Sequence, residues 1–149
     1  MEDKEYIGFY ERDFYVFSNF SFFIMEWKGK LWPTSEYVYQ SERFADEAIK
    51  EKIRNMRSSH EAFRFAQENK HLQVSNWGDI KIEIMKEILR EKVRQHPYVR
   101  KKLIDSGDRE LIEDSWRDDF WGWGANKDGV NQLGKCWMEV RTEVTNKKL

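Results

Sequence analysis

Pro33-Thr34-Ser35-Glu36-Tyr37-Val38-Tyr39-Gln40-Ser41-Glu42-Arg43-Phe44 is the stretch in which the pattern of this chain changes. Before it, aromatic residues alternate in short runs. From Thr34 onward the apolar residues recur at helical spacing, with Tyr37, Phe44 and Ala48 beside Val38, Ala45 and Ile49. This reads as one broad apolar helix face running to Ile49, with Thr34 or Ser35 as the cap behind Pro33. Upstream, Phe14-Tyr15-Val16 and Phe22 to Trp27 lead into Lys28-Gly29-Lys30. They read as short strands with a turn at Gly29.

Downstream the helical period persists. Ser58 with Glu61 three residues on forms a capping box ahead of Ala62, Phe63 and Ala66. Trp77, Ile80, Ile84, Ile88 and Val93, with Met85 and Leu89, define the longest helix. His96-Pro97 ends it, because the residue before a proline avoids helical geometry. Pro97 suits the first turn of the next helix and Gly107 suits its stop. After Asp108 comes a short helix or strand, then a turn-rich segment, Trp116 to Gly129. Asn131 is placed to cap a final helix through Leu133, Trp137, Val140 and Val144. The expected fold is mainly α with a small N-terminal β element, an α+β chain forming one domain over residues 1–149.

The 149 residues fit one core. Twenty-six Lys and Arg stand against 27 Asp and Glu, which argues against a generic polyanion binder. Cys136 is the single cysteine, so no disulfide forms within the chain and a reducing compartment is implied. Met1 to Tyr10 holds neither an apolar run nor a small-residue cleavage site, and no stretch reaches membrane-spanning length. A cytoplasmic protein without a membrane partner is expected. Seven Trp, six Tyr and ten Phe fill a core, and several suit a nucleobase site.

His60, His71 and His96 lack metal-ligand spacing, and there is no phosphate-binding loop or nucleophile elbow. Four features carry chemistry. Glu36, Gln40 and Arg43 lie at i, i+4 and i+7, one polar stripe on a helix. That stripe is either a solvated face or a site, with Glu36 near the positive helix end. Asp118-Asp119-Phe120-Trp121-Gly122-Trp123-Gly124 is either a capped turn or a loop approaching a planar ligand. Gly129 to Lys135 begins a helix, where backbone N–H groups favour an anion and Lys135 adds charge, unless the helix is simply capped. Trp77 and Lys81 share a face one turn apart, either toward a ligand or as core and snorkelling lysine.

Taken in order, these segments resemble the NADAR (YbiA-like) family. Phe17-Ser18-Asn19-Phe20 is similar to its opening motif, and Gly29-Lys30-Leu31-Trp32-Pro33-Thr34-Ser35-Glu36 to its Gly-Lys-x-Trp-Pro-Thr-x-Glu segment. Gln40, Arg43-Phe44, Asn76-Trp77 with Lys81 and Met85, Asp118-x-x-Trp121-Gly122-x-Gly124, and Asn131-x-Leu133-Gly134-Lys135 continue the resemblance. Tyr37 stands where the family usually has histidine, and Val74 where an arginine is common.

The resemblance implies an N-glycosidase that cleaves a C1′–N bond. The implied substrates are phosphoribosylamino-pyrimidine intermediates of riboflavin synthesis, or ADP-ribose attached to guanine. Glu36 is then the first catalytic candidate and Asp118 the second. Trp77 and Trp121 would stack on the base, and Arg43 and Lys81 would hold phosphate. Ser18, Asn19, Gln40, Gly122, Asn131 and Lys135 complete the expected substrate-binding set. No metal or cofactor is expected; the partner is a nucleotide-like small molecule, or modified nucleic acid. The alternative is a non-catalytic ADP-ribose or nucleotide binding module.

Overall fold

In chain order the elements are β1 (Tyr6–Gly8), β2 (Met25–Trp27), β3 (Lys30–Trp32), α1 (Ser35–Glu42), α2 (Glu47–Arg54), α3 (Ser59–Glu68), α4 (Trp77–Gln95), α5 (Pro97–Asp105), β4 (Glu110–Ile112) and α6 (Gln132–Thr145). They come from a computed structural model that describes residues 6–9 and 12–149. Most of the segment Met1 to Tyr10, read above for a leader, lies outside the described residues. Helices dominate and the strands are three residues each, in line with the expected mainly α class with a small β part. The chain divides into two units. One is Asn19–Gln95, and the other joins the residues up to Ser18 with His96–Leu149.

The Asn19–Gln95 unit opens with the β2–β3 hairpin, in the register Met25↔Trp32, Glu26↔Leu31 and Trp27↔Lys30. Its two-residue turn needs positive φ at both positions, which Lys28 (φ 51°) and Gly29 (φ 81°) adopt. Glu26 faces away from β3, and its N–H donates to Gln95 Oε1 at 2.7 Å while Gln95 Nε2 donates to its carbonyl at 2.8 Å. On the other strand Arg54 donates to the Leu31 carbonyl at 3.3 Å.

α1 is the axis of this unit. It packs against α2, α3, α4 and both strands, and every residue from Ser35 to Ser41 is buried. Four of those residues are polar, so the core here is not built from apolar side chains alone. Thr34 sits at the cap position without a side-chain capping bond; its hydroxyl pairs with the Ser59 hydroxyl at 2.8 Å instead. The single helix expected through Ile49 is two. α1 stops at Arg43, and Asp46 starts α2 by accepting from the N–H groups of Ala48 (2.8 Å) and Ile49 (3.4 Å). The periodicity of the sequence runs across the break, but Ala45 and Ala48 are exposed, and the aspartate cap supplies the local energy to restart the helix. Ser58 caps α3 as expected, accepting from Glu61 N–H at 3.0 Å. Along α4 the buried residues include Met85, Ile88, Leu89 and Val93, and also Lys92, which is fully buried and donates to the Ser21 hydroxyl at 3.0 Å.

In the other unit, β1 and β4 pair in parallel as Tyr6↔Glu110, Ile7↔Leu111 and Gly8↔Ile112. This pairing was foreseen only as a short element after Asp108. Phe14 to Val16, expected as strand, belongs to a 3-10 segment, Arg12–Phe17, whose kink at Phe14 turns its ring onto Phe17. Aromatic content alone favoured a strand; the tertiary packing of the rings overrode it. Pro97 occupies the first turn of α5, and Gly107 follows it with φ 63°, both as expected. α6 lies against β4, with Trp137 fully buried, its indole N–H donating to the Phe17 carbonyl at 2.9 Å. The helix approaches so closely at Gly134 that a Cβ there would stand 1.9 Å from the Leu111 carbonyl oxygen.

Candidate active site

The Glu36–Gln40–Arg43 stripe is not a solvated face. Glu36 is 6% exposed and Gln40 2%. A carboxylate so enclosed is costly unless hydrogen-bonded, and Gln40 Nε2 donates to Glu36 Oε2 at 2.6 Å. The first turn is braced from below: Asn19 O accepts the Glu36 N–H at 3.0 Å, and Asn19 Oδ1 accepts the Ser35 hydroxyl at 3.0 Å. Asn19 Nδ2 reaches Met85 Sδ at 3.4 Å. Asn19 therefore holds the catalytic candidate in place through contacts of its own, and both ends of its amide are engaged.

At the other end of the stripe, the Arg43 guanidinium lies 5.1 Å from the Tyr39 ring and 5.2 Å from the Trp77 ring. The two rings are 5.3 Å apart and inclined by 56°. Such an arrangement favours a cation at ring faces. Backbone bonds tie the start of α4 to the end of α1: Val74 N–H donates to Arg43 O at 2.9 Å, and Trp77 N–H to Val74 O at 3.3 Å. Tyr39 was absent from the expected site. Its spacing four residues before Arg43 was the available signal. Lys81 lies one turn beyond Trp77 on α4 and is half-buried.

Three buried side-chain atoms in this region have no hydrogen-bond partner: Gln40 Oε1, Arg43 Nε and Trp77 Nε1. Buried polar atoms are nearly always paired, so three together mark a place where polar groups are available to a ligand or to water. Tyr37, at the position where the family usually has histidine, is spent on structure. Its hydroxyl donates to the Met56 carbonyl at 2.9 Å, and burial, with Glu61 nearby, raises its pKa above the ordinary tyrosine value.

The remaining expected residues belong to the other unit. Ser18 is buried, with its N–H bonded to Tyr15 O at 2.8 Å. Asp118 Oδ1 accepts from Phe120 N–H (2.9 Å) and Trp121 N–H (2.8 Å), which makes the carboxylate a builder of its own loop. Trp121 meets the Phe120 ring edge-on at 5.0 Å. Gly122 is required for space, since a Cβ would stand 2.7 Å from the Asp118 carbonyl oxygen.

Asn131 takes the cap position of α6 with φ 54°, but its side chain does not cap. Its Oδ1 accepts from Glu113 N–H and its Nδ2 donates to Leu111 O, both at 2.9 Å. The expected anion-binding helix start is corrected here. The N–H groups of Asn131, Gln132 and Leu133 donate to the carbonyls of Gly122, Phe120 and Trp121. An anion cannot use donors that the loop has taken. Lys135 is exposed on the first turn of the helix.

Among the described residues, no three His, Cys, Asp or Glu side chains are grouped as a metal site, and no helix is long and apolar enough to cross a membrane. The structure thus brings together Glu36 with Gln40 and Arg43 with Trp77, and separately Asp118 with Trp121 and Gly122 with Asn131.

A family model described as the NADAR domain matches residues 8–145. N-glycosidase YbiA of Escherichia coli is 35% identical over 144 residues, covering 95% of this chain and 90% of that protein. A riboflavin biosynthesis protein of Vibrio vulnificus is 40% identical over 116 residues, 78% of this chain; the match spans 32% of that longer protein. Among solved structures, the NMR structure of the E. coli protein YbiA aligns with a TM-score of 0.88 at 35% identity, covering 99% of this chain and 89% of that one.

Proposed function

The chain belongs to the NADAR domain family, and from that premise we propose that it is an N-glycosidase hydrolysing the C1′–N bond of a ribosyl phosphate or ADP-ribosyl compound. The family match runs through both units, so the proposed activity is that of residues 1–149 as one domain. The observation that carries the reading is a buried carboxylate, Glu36, held by the Gln40 amide, whose own Oε1 has no partner.

Breaking C1′–N sends the bonding pair to the departing base and leaves an oxocarbenium-like sugar. Water then adds to C1′ and gives up a proton. A carboxylate can stabilise the positive charge as it develops, accept the proton from water and release it to the departed base, which regenerates the carboxylate. Glu36 is proposed for that role. The geometry that favours it is rigidity: Gln40 fixes the carboxylate, and Asn19 fixes the turn that carries it. Trp77 would stack on the base, a contact worth about 1–3 kcal/mol on such platforms. Arg43 and Lys81 would hold phosphate, Arg43 through a guanidinium already oriented by two rings.

The test runs the protein and Glu36→Gln against two substrate sets, with products resolved by liquid chromatography and mass spectrometry. One set is the phosphoribosylamino-pyrimidines, in keeping with the name of the Vibrio relative. The other is ADP-ribosylated guanosine with a guanine-modified oligonucleotide. The expected result is release of free base, lowered at least about tenfold in the variant while ligand binding persists. Equal turnover in a folded variant removes Glu36 from catalysis. Binding without release from either set turns the assignment to a non-catalytic nucleotide-binding module.

A further inference from the structure

Gln40 is caught between two demands. Its Nε2 donates to the Glu36 carboxylate at 2.6 Å. Turned over, the amide would set an oxygen against a carboxylate oxygen, and two acceptors cannot share a bond. The bond to the Glu36 carboxyl oxygen therefore dictates which way the amide points. The consequence falls on Oε1, an acceptor with no partner in a side chain that is 2% exposed. A buried unpaired acceptor is expensive, and a donor from a ligand removes the expense.

The partnerless atoms also divide by sign. Arg43 Nε and Trp77 Nε1 are donors, suited to phosphate or to acceptor atoms of a base. Gln40 Oε1 is an acceptor beside the Glu36 carboxylate it serves, suited to the hydroxyl-bearing part of a ligand. The two ends of an amide are joined through one carbon, so Gln40 Oε1 lies within about 5 Å of Glu36 Oε2. That span fits a carboxylate set against C1′ and an acceptor for the hydroxyl on the neighbouring carbon.

We propose that Gln40 determines specificity: its carbonyl oxygen accepts the sugar hydroxyl next to the anomeric carbon, so the site takes ribosyl compounds and rejects 2-deoxyribosyl ones. The proposal rests on the placement of Glu36 at the sugar. Glu36 sets the amide and Gln40 reads the hydroxyl, so recognition depends on the bond between them. In Glu36→Gln the new carbonyl still accepts from Gln40 Nε2, which keeps the reader in place and explains why that variant should go on binding.

The experiment is calorimetric titration of the full chain with ribose 5-phosphate and with 2-deoxyribose 5-phosphate, for the protein and for Gln40→Met. The unaltered protein is expected to bind the ribo compound at least about tenfold more tightly, and Gln40→Met to lose that preference by weakening ribo binding alone. Equal binding of the two sugars, no binding of either, or an undiminished preference in Gln40→Met overturns the proposal. Circular dichroism shows whether the variant is folded; if it is not, the ratio for the unaltered protein decides. The two readings fail separately. Equal sugar binding beside base release that depends on Glu36 leaves the glycosidase standing and removes the hydroxyl reader. A ribose preference without any base release does the reverse.

Discussion

The α1 stripe and the loop that runs from Asp118 into α6 are both rich in polar groups, yet they use them in opposite ways. Around α1, Gln40 Oε1, Arg43 Nε and Trp77 Nε1 stay without partners although they are buried. In the loop, every backbone N–H from Gly129 to Leu133 donates to a carbonyl of the same loop. Asp118 and Asn131 give their side chains to that network as well. In sequence both segments read as candidate sites or as plain structure, on their acids, amides and spacing. The difference teaches that residue type marks where chemistry is available, while satisfaction of hydrogen bonds separates a scaffold from a surface left for a ligand.

Substitutions can break or sharpen this contrast. The largest effect is expected at Gly134, whose Cβ would stand 1.9 Å from Leu111 O and 2.5 Å from Asn131 Nδ2. Gly134→Ala should cost about 3 kcal/mol in urea unfolding, because a backbone oxygen cannot step aside as a side chain can. Next is Asn131→Ala, which strands the Glu113 N–H and the Leu111 carbonyl and should cost about 2 kcal/mol. Loss of ligand affinity at Asn131 with stability unchanged would break the comparison.

Trp77→Phe probes the other side of the contrast. The indole N–H already lacks a partner, so stability should stay within about 1 kcal/mol while ribosyl ligand binding falls about fivefold. A large drop in melting temperature with unaltered binding would place Trp77 with the scaffold. The smallest effect concerns Glu42. Burial pushes its pKa up, but its bonds to Lys28 (2.9 Å) and Lys50 (3.1 Å) outweigh burial and hold the pKa below the ordinary glutamate value. A lowered folded pKa stabilises above the unfolded value and is lost as pH falls through the folded one. Glu42→Gln should therefore be less stable than the parent near neutrality, with the gap closing below about pH 4. A gap that widens on acidification would contradict the ion pairs.

Much of the fold was legible because its signals are local. The Lys28-Gly29 turn, the Ser58 cap, the long period of α4 and the Pro97 start each depend on neighbours in sequence. The β1–β4 pair was not, since three-residue strands about a hundred positions apart leave no periodic trace. The division of α1 from α2 turned on one side chain, Asp46, inside an unbroken apolar pattern. For the site, the spacing put Glu36, Gln40 and Arg43 on one stripe, but their burial is a tertiary fact that spacing cannot carry. Asn131 misled for a related reason: its capping position was right, while its side chain serves the strand and loop beside it.

The small hairpin has one more consequence. A two-stranded sheet has two open margins, and an unguarded margin invites a strand from another molecule to add on. Here the Gln95 amide stands in for a strand along β2, occupying both the N–H and the carbonyl of Glu26, while Arg54 occupies the outward carbonyl of Leu31 on β3. Leu31, which is exposed, would otherwise sit on an adhesive ribbon. Two side chains contributed by helices therefore occupy outward backbone groups on each margin, where a further strand would otherwise pair.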